Sequence, residues 1–172
     1  MTAAMLTAVG VVVSFIIDIP ILPFADFLKY TPSDIPTLLG SFAFGPVIGG
    51  AVALARALLH GLLTGFRNGS IGYVMDSVSA LALAVSVGMV YRVRKTRGGA
   101  VAGLLVGSVA MTVVSVALNY FWSYPAYGVP TALVWTTALP FNLLKCLING
   151  VMVFVLYKPL SPILHGREGD RG

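Results

Sequence analysis

Apolar residues run along this chain in long blocks separated by short clusters of proline, glycine and charge. The first block, 3–17, ends at Asp18 and predicts a helix. The stretch "DIPILPFADFLKYTPSDIP" that follows holds four prolines and four charged residues, so 18–34 reads as a structured loop. A second apolar run, 35–44, is short enough to be a partial or tilted span. "FGP" breaks the chain at Gly45-Pro46, and a third helix is expected over 47–64. After the turn cluster "GFRNGSIG", a fourth helix over 73–91 stops at "RVRKTRGG". The fifth covers 100–122 and ends in "SYPAYGVP". The sixth covers 131–156 with Pro140 inside it, where a kink is expected because proline removes a backbone donor and clashes with the preceding turn.

Composition turns these blocks into membrane spans. Of 172 residues, 58% are hydrophobic and only 10% charged, with a mean hydropathy of +0.92. A soluble domain carries about 25% charged residues. A chain with too few charges to cover itself in water has lipid as its solvent, and this length accommodates roughly six spans of about 20 residues. The expected fold is an all-α integral membrane protein, a six-transmembrane-helix bundle forming one membrane domain over 1–172. The first apolar run has no basic segment before it, so no removable signal peptide is expected. Cys146 is the single cysteine, which excludes an intrachain disulfide framework and a Cys-rich metal site.

Charge placement sets the orientation. Arg92, Arg94, Lys95 and Arg97 crowd one short connection, and Lys158, Arg167 and Arg171 follow the last helix. With six spans these regions share a side, which the positive-inside rule assigns to the cytoplasm together with both termini. Loop 18–34 and the aromatic "YFWSYPAYG" loop then lie together outside. The net charge of +5 is therefore a topology signal rather than a nucleic-acid footprint, being one short cluster with no basic domain attached. No internal repeat is evident, which speaks against a self-contained transporter built from inverted halves.

Polar residues within spans demand reasons, since each charge costs about 2.5–3.5 kcal/mol at the membrane centre. They are Arg56 and His60 in the third helix, Asp76 in the fourth and Lys145 in the sixth, joined by Asn119, Asn142 and Asn149. Asn142 and Lys145, three apart, share a helix face, and Asn119 is expected at a similar depth near the outer mouth. Two carboxamides and an ammonium suit a heteroaromatic edge that alternates carbonyl and imide N–H groups. Equally, the asparagines could be interhelical glue and Lys145 could snorkel outward along its stem. Arg56 and Asp76 read as a structural ion pair across a short outer turn. His60 lacks a companion ligand, so no metal is assigned. Small residues four apart (Ala4 with Ala8, Gly45 with Gly49, Gly103 with Gly107) suit close helix packing, with Ala4 and Ala8 facing a partner in the membrane. No phosphate-binding loop, HExxH or GxSxG motif occurs, so the chain is expected neither to hydrolyse ATP nor to be an enzyme.

"LKYTPSDIP", "FGPVIGG", the "LLH" ending of the third helix, "LNYFWSYPAYG" and "LPFNLLKCLINGVMVFVLYKPLSPIL" together resemble the S components of energy-coupling-factor (ECF) transporters, most closely the riboflavin-specific RibU family. The resemblance spans nearly the whole chain. It implies a multi-pass protein of the prokaryotic plasma membrane, with riboflavin as transported ligand rather than cofactor, bound near the outer face. It carries flavin contact over to Asn119, Asn142 and Lys145, and pocket closure by the first loop to Leu28 and Tyr30. It implies a transmembrane T component and two ABC ATPase subunits as partners, with docking on Ala4 and Ala8. Arg56 and Asp76 depart from the lysine and asparagine that the resemblance leads one to expect. The rival readings are an S component for another vitamin, such as thiamine or biotin, and a structural membrane subunit with no ligand.

Overall fold

Lipid leaves a spanning segment no solvent partner for its backbone, so an apolar block satisfies its own N–H and C=O groups by coiling into a helix. The computed structural model describes residues 1–17, 19–20, 29–66, 70–126, 128 and 130–165, with backbone alone at 20, 29 and 157–165. Helix α1 spans Thr2–Ile16, α2 Asp34–Phe44, α3 Pro46–Thr64, α4 Ser70–Val93 and α5 Arg97–Leu118. The last continues through a π-helical turn, Asn119–Ser123, into the three-residue α6, Tyr124–Ala126. A 3-10 turn at Thr131–Val134 precedes the long final helix α7, Ala138–His165. Among the described residues, four segments are long and apolar enough to cross a membrane: Pro46–Thr64, Ser70–Val93, Arg97–Ala126 and Thr131–Leu156. Helices α1 and α2 are shorter, at 15 and 11 residues. At 1.5 Å per residue α2 reaches only about 16 Å, roughly half a hydrocarbon core.

Two expectations change. The loop over 18–34 contains a short antiparallel ladder, β1 (Ile19–Pro20) with β2 (Lys29–Tyr30), pairing Ile19 with Tyr30 and so bringing the two arms of the loop together. Leu28 lies outside the described residues. Pro140 does not kink the middle of a helix over 131–156, because the chain breaks before α7 and leaves the proline in its first turn. There a missing N–H forfeits no intrahelical bond, which is why the break falls where it does.

The Gly45-Pro46 corner forms as the sequence suggests. Gly45 takes φ +88°, ending α2 and starting α3 without a connecting loop, a backbone conformation open to glycine at little cost. Helix α4 packs most extensively against α5 and α3, and α7 lies against α5 and α2. One buried cluster joins α2, α4, α5 and α7 through Leu38, Phe42, Leu83, Val87, Tyr91, Met111, Cys146 and Val153. Leu105, Val109 and Val113 on α5 and Leu143, Leu147 and Val151 on α7 point outward as four-spaced apolar stripes, the surface a bilayer requires.

Backbone proximity between α4 and α5 rests on the small pair. A β-carbon on Gly103 would stand 3.2 Å from the Val87 carbonyl oxygen, and one on Gly107 would collide with the Val87 side chain. Gly107→Val is therefore expected to destabilise the protein by about 1–3 kcal/mol through overpacking. Gly150→Ala, where a β-carbon meets nothing within 4 Å, should change stability by no more than about 0.5 kcal/mol. Thermal unfolding of the two purified variants in detergent checks the pair.

Candidate ligand-binding site

Helix α7 is apolar on one side only. Lys145 is 6% exposed where Leu147 is 64% exposed, and Asn142 and Asn149 are buried on the same inward face as Lys145. Lysine therefore does not snorkel outward. Its ammonium lies 2.9 Å from Asp34 Oδ2 and 3.6 Å from Asp76 Oδ1.

Around it stands a closed network of charge. Arg56, brought inward by α3, places Nη2 3.3 Å from Asp34 Oδ1 and 3.0 Å from Asp76 Oδ2. The expected Arg56–Asp76 ion pair is present, and it is half of a larger arrangement. Arg56 Nη1 donates to Ser33 Oγ at 2.6 Å. Asn149 Nδ2 donates to Asp34 Oδ2 at 3.2 Å, and the Tyr30 hydroxyl donates to Asn149 Oδ1 at 2.7 Å. Among the described residues two cations meet two carboxylates, so their charges balance. In a low-dielectric interior, removing one member strands its partner's charge at a cost of about 3–5 kcal/mol. Gly10 of α1 makes room for the guanidinium's stem: a β-carbon there would come within 3.0 Å of Arg56 Cδ.

Tyr30 ties the first loop to this network. Its phenol is buried, and desolvation followed by the Asp34 carboxylate pushes its pKa up to about 12 against the opposing pull of Lys145. It thus remains a neutral donor at physiological pH.

Asn119 and Asn142 are buried as well, but each amide donates to its own helix. Asn119 Nδ2 bonds the Ser115 carbonyl at 2.8 Å, and Asn142 Nδ2 bonds the Ala138 carbonyl at 2.7 Å. Among the described residues neither bridges to another helix, and no hydrogen bond joins Asn119, Asn142 and Lys145 to one another. The packing register separates them in depth. Cys146 contacts Met111 and the Ser108 carbonyl, whereas Val116 packs on the Tyr124, Val134 and Ala138 cluster. Asn119 therefore stands near the level of the first turn of α7, with the Lys145 backbone about 10 Å further along that helix. The π-helical turn begins at Asn119 and keeps both it and Ser123 buried, while Tyr120, Phe121 and Trp122 are exposed. Such turns recur at functional positions, and the exposed aromatics suit a membrane–water boundary.

His60 packs edge-on between Phe15 and Tyr73, with ring centroids 5.1 and 5.5 Å away. Among the described residues no group of histidine, cysteine and acidic side chains could hold a metal ion. Ala4 and Ala8 are exposed on the face of α1 that also presents Met5, Val9 and Val12.

Sequence reasoning missed Asp34 and gave Asn149 no role. Asp34 looked like part of a polar loop. It is the first residue of α2, fully buried, and Ser33 before it is fully buried too. A charge count held the signal: Arg56 and Lys145 are two cations in apolar helices, and Asp76 neutralises only one. A second buried carboxylate was required, and serine-aspartate ahead of an apolar run is a helix-start pattern.

The sequence model of the family described as "ECF transporter, substrate-specific component" matches residues 1–157. The chain is 29% identical over 174 aligned residues to the riboflavin transporter RibU of Staphylococcus aureus, covering 95% of this chain and 90% of that one. It is 32% identical to the riboflavin transporter RibU of Streptococcus thermophilus, covering 94% and 82%. A solved S component of a bacterial ECF transporter superposes with a TM-score of 0.84 at 30% identity, covering 95% of each chain. With an all-helical fold, four long apolar segments and this match over most of its length, the chain belongs to the substrate-specific components of ECF transporters.

Proposed function

We propose that this protein captures riboflavin at the outer face of a prokaryotic plasma membrane for ATP-driven import. The observation that carries this reading is the likeness, over nearly the whole chain, to two transporters named for riboflavin. The geometry supports it. Asn119 and Asn142 spend amide N–H groups on their own helices, Asn119 on both the Ser115 carbonyl and hydroxyl, which leaves the carbonyl oxygen of each and a second N–H of Asn142 for a ligand. Lys145 adds an ammonium on the same face of α7 as Asn142. The spread of these groups over about 10 Å along the helix axis suits a fused tricyclic ring lying along α7 rather than one edge read by all three. Tyr30 closes the pocket from the first loop, and Leu28 is assigned the same part. Burying the ring contributes roughly 25 cal/mol per Å² of apolar surface, and each hydrogen bond to a charged group adds about 1.5–3 kcal/mol.

On this reading the chain is a single six-span domain with both termini in the cytoplasm, α1 and the short α2 completing the bundle. Its partners are a transmembrane T component, docking on Ala4 and Ala8, and two ABC ATPases that supply the energy for release inward. S components for thiamine or biotin and a ligand-free structural subunit are the rival readings, and the named relatives favour neither.

Protein purified in detergent is expected to quench the fluorescence of added riboflavin stoichiometrically, and to ignore thiamine and biotin. Asn142→Ala and Lys145→Ala should each weaken riboflavin binding tenfold or more, or about 1.4 kcal/mol. Asn142→Ala should do so with little change in the melting temperature of the ligand-free protein, because its amide bonds only its own helix. Unchanged affinity in both would remove α7 from the pocket. For topology, a cysteine placed at Lys95 should resist a membrane-impermeant maleimide in intact cells and react once the cells are opened.

A further inference from the structure

Asp34 bonds α3 and α7 directly and reaches the first loop through Asn149. It begins α2 four residues beyond Tyr30, the last residue of β2. Its Oδ1 faces Arg56 of α3, and its Oδ2 accepts from both Lys145 and Asn149 of α7. Asn149 in turn accepts from Tyr30 of the first loop. The Lys145 ammonium is thus already directed toward α2 before any ligand arrives, and the loop is bonded through Asn149 to the same carboxylate. Asp76 differs. It lies at 3.6 Å from Lys145, its side chain is 34% exposed, and no bond joins it to Asn149 or Tyr30 among the described residues.

Resting on the riboflavin reading, we propose that Asp34 is a positioning residue for ligand retention: it fixes where the Lys145 ammonium points and, through Asn149, where the Tyr30 hydroxyl sits. Asp34 touches no ligand in this role. A ligand that draws Lys145 toward itself loads the Asp34 contact, and one that meets the Tyr30 hydroxyl loads its bond to Asn149. Retention therefore depends on a carboxylate outside the pocket wall. Asp76 serves chiefly to neutralise Arg56.

The test measures riboflavin dissociation by displacement fluorescence on the full-length protein in detergent, for the parent, Asp34→Asn, Asp34→Glu and Asp76→Asn, each with its ligand-free melting temperature. Asp34→Asn is expected to speed dissociation tenfold or more. Asp34→Glu keeps the charge but displaces it by one methylene, and should speed dissociation severalfold with the fold intact, which preserves the test if Asp34→Asn does not fold. Asp76→Asn should lower the melting temperature yet leave dissociation within about twofold of the parent. A purely structural role predicts dissociation rates that follow melting temperature across all three variants, and that result would overturn the proposal. So would an Asp34→Glu protein that releases riboflavin at the parental rate. Failure of the parent itself to bind riboflavin sinks both readings, whereas a parent that binds normally beside unaffected Asp34 variants sinks this one alone.

Discussion

A carboxylate buried in an apolar bundle holds this structure's polar parts in place. Asp34 is wholly excluded from solvent and faces two cations, Arg56 and Lys145. None of the three would be tolerable alone, because an isolated charge in a low-dielectric interior costs far more than any single packing contact returns. Together with Asp76 they cancel, and the cancellation works only if α2, α3, α4 and α7 keep their mutual register. Helix packing in lipid gains little from the hydrophobic effect, since lipid tails are as apolar as leucine. Specific register therefore has to come from shape and from polar contacts. Here the glycine pair on α5 supplies the shape and the ion network supplies the polar fixation.

This division sorts the residues of each helix into an outward apolar set and an inward polar one. The outward stripes of α5 and α7 are interchangeable grease, while the inward face of α7 carries Asn142, Lys145 and Asn149 at three- and four-residue steps. One helix thus turns one face to lipid and the other to the charge network, and the boundary between its faces is narrow enough that Lys145 and Leu147, two residues apart, differ tenfold in exposure.

Much of this was legible beforehand. Apolar block lengths marked out the helices, Gly45-Pro46 marked the corner, and the rarity of charges singled out Arg56, Asp76 and Lys145. Periodicity could not register Asp34, because a residue at the mouth of a short helix following a proline-rich loop looks solvated until its neighbours are known. Nor could spacing give the relative depth of Asn119 and Lys145, which depends on how far α5 slides along α7. That slide shows only in contacts such as Cys146 with Met111, far apart in sequence. Pro140 misled for a related reason: proline is equally at home in a kink and in a first turn, and only the break at 135–137 distinguishes them.

The corner between α2 and α3 has a mechanical corollary. With no slack residues at Gly45, and with Gly49 pressed against Ser41 so tightly that a β-carbon would fall 2.8 Å from its Cα, the two helices make a rigid elbow. A tilt of the short arm, which carries the acidic anchor, must swing the long arm with it. A displacement of α2 is in this way passed to a segment long and apolar enough to cross a membrane.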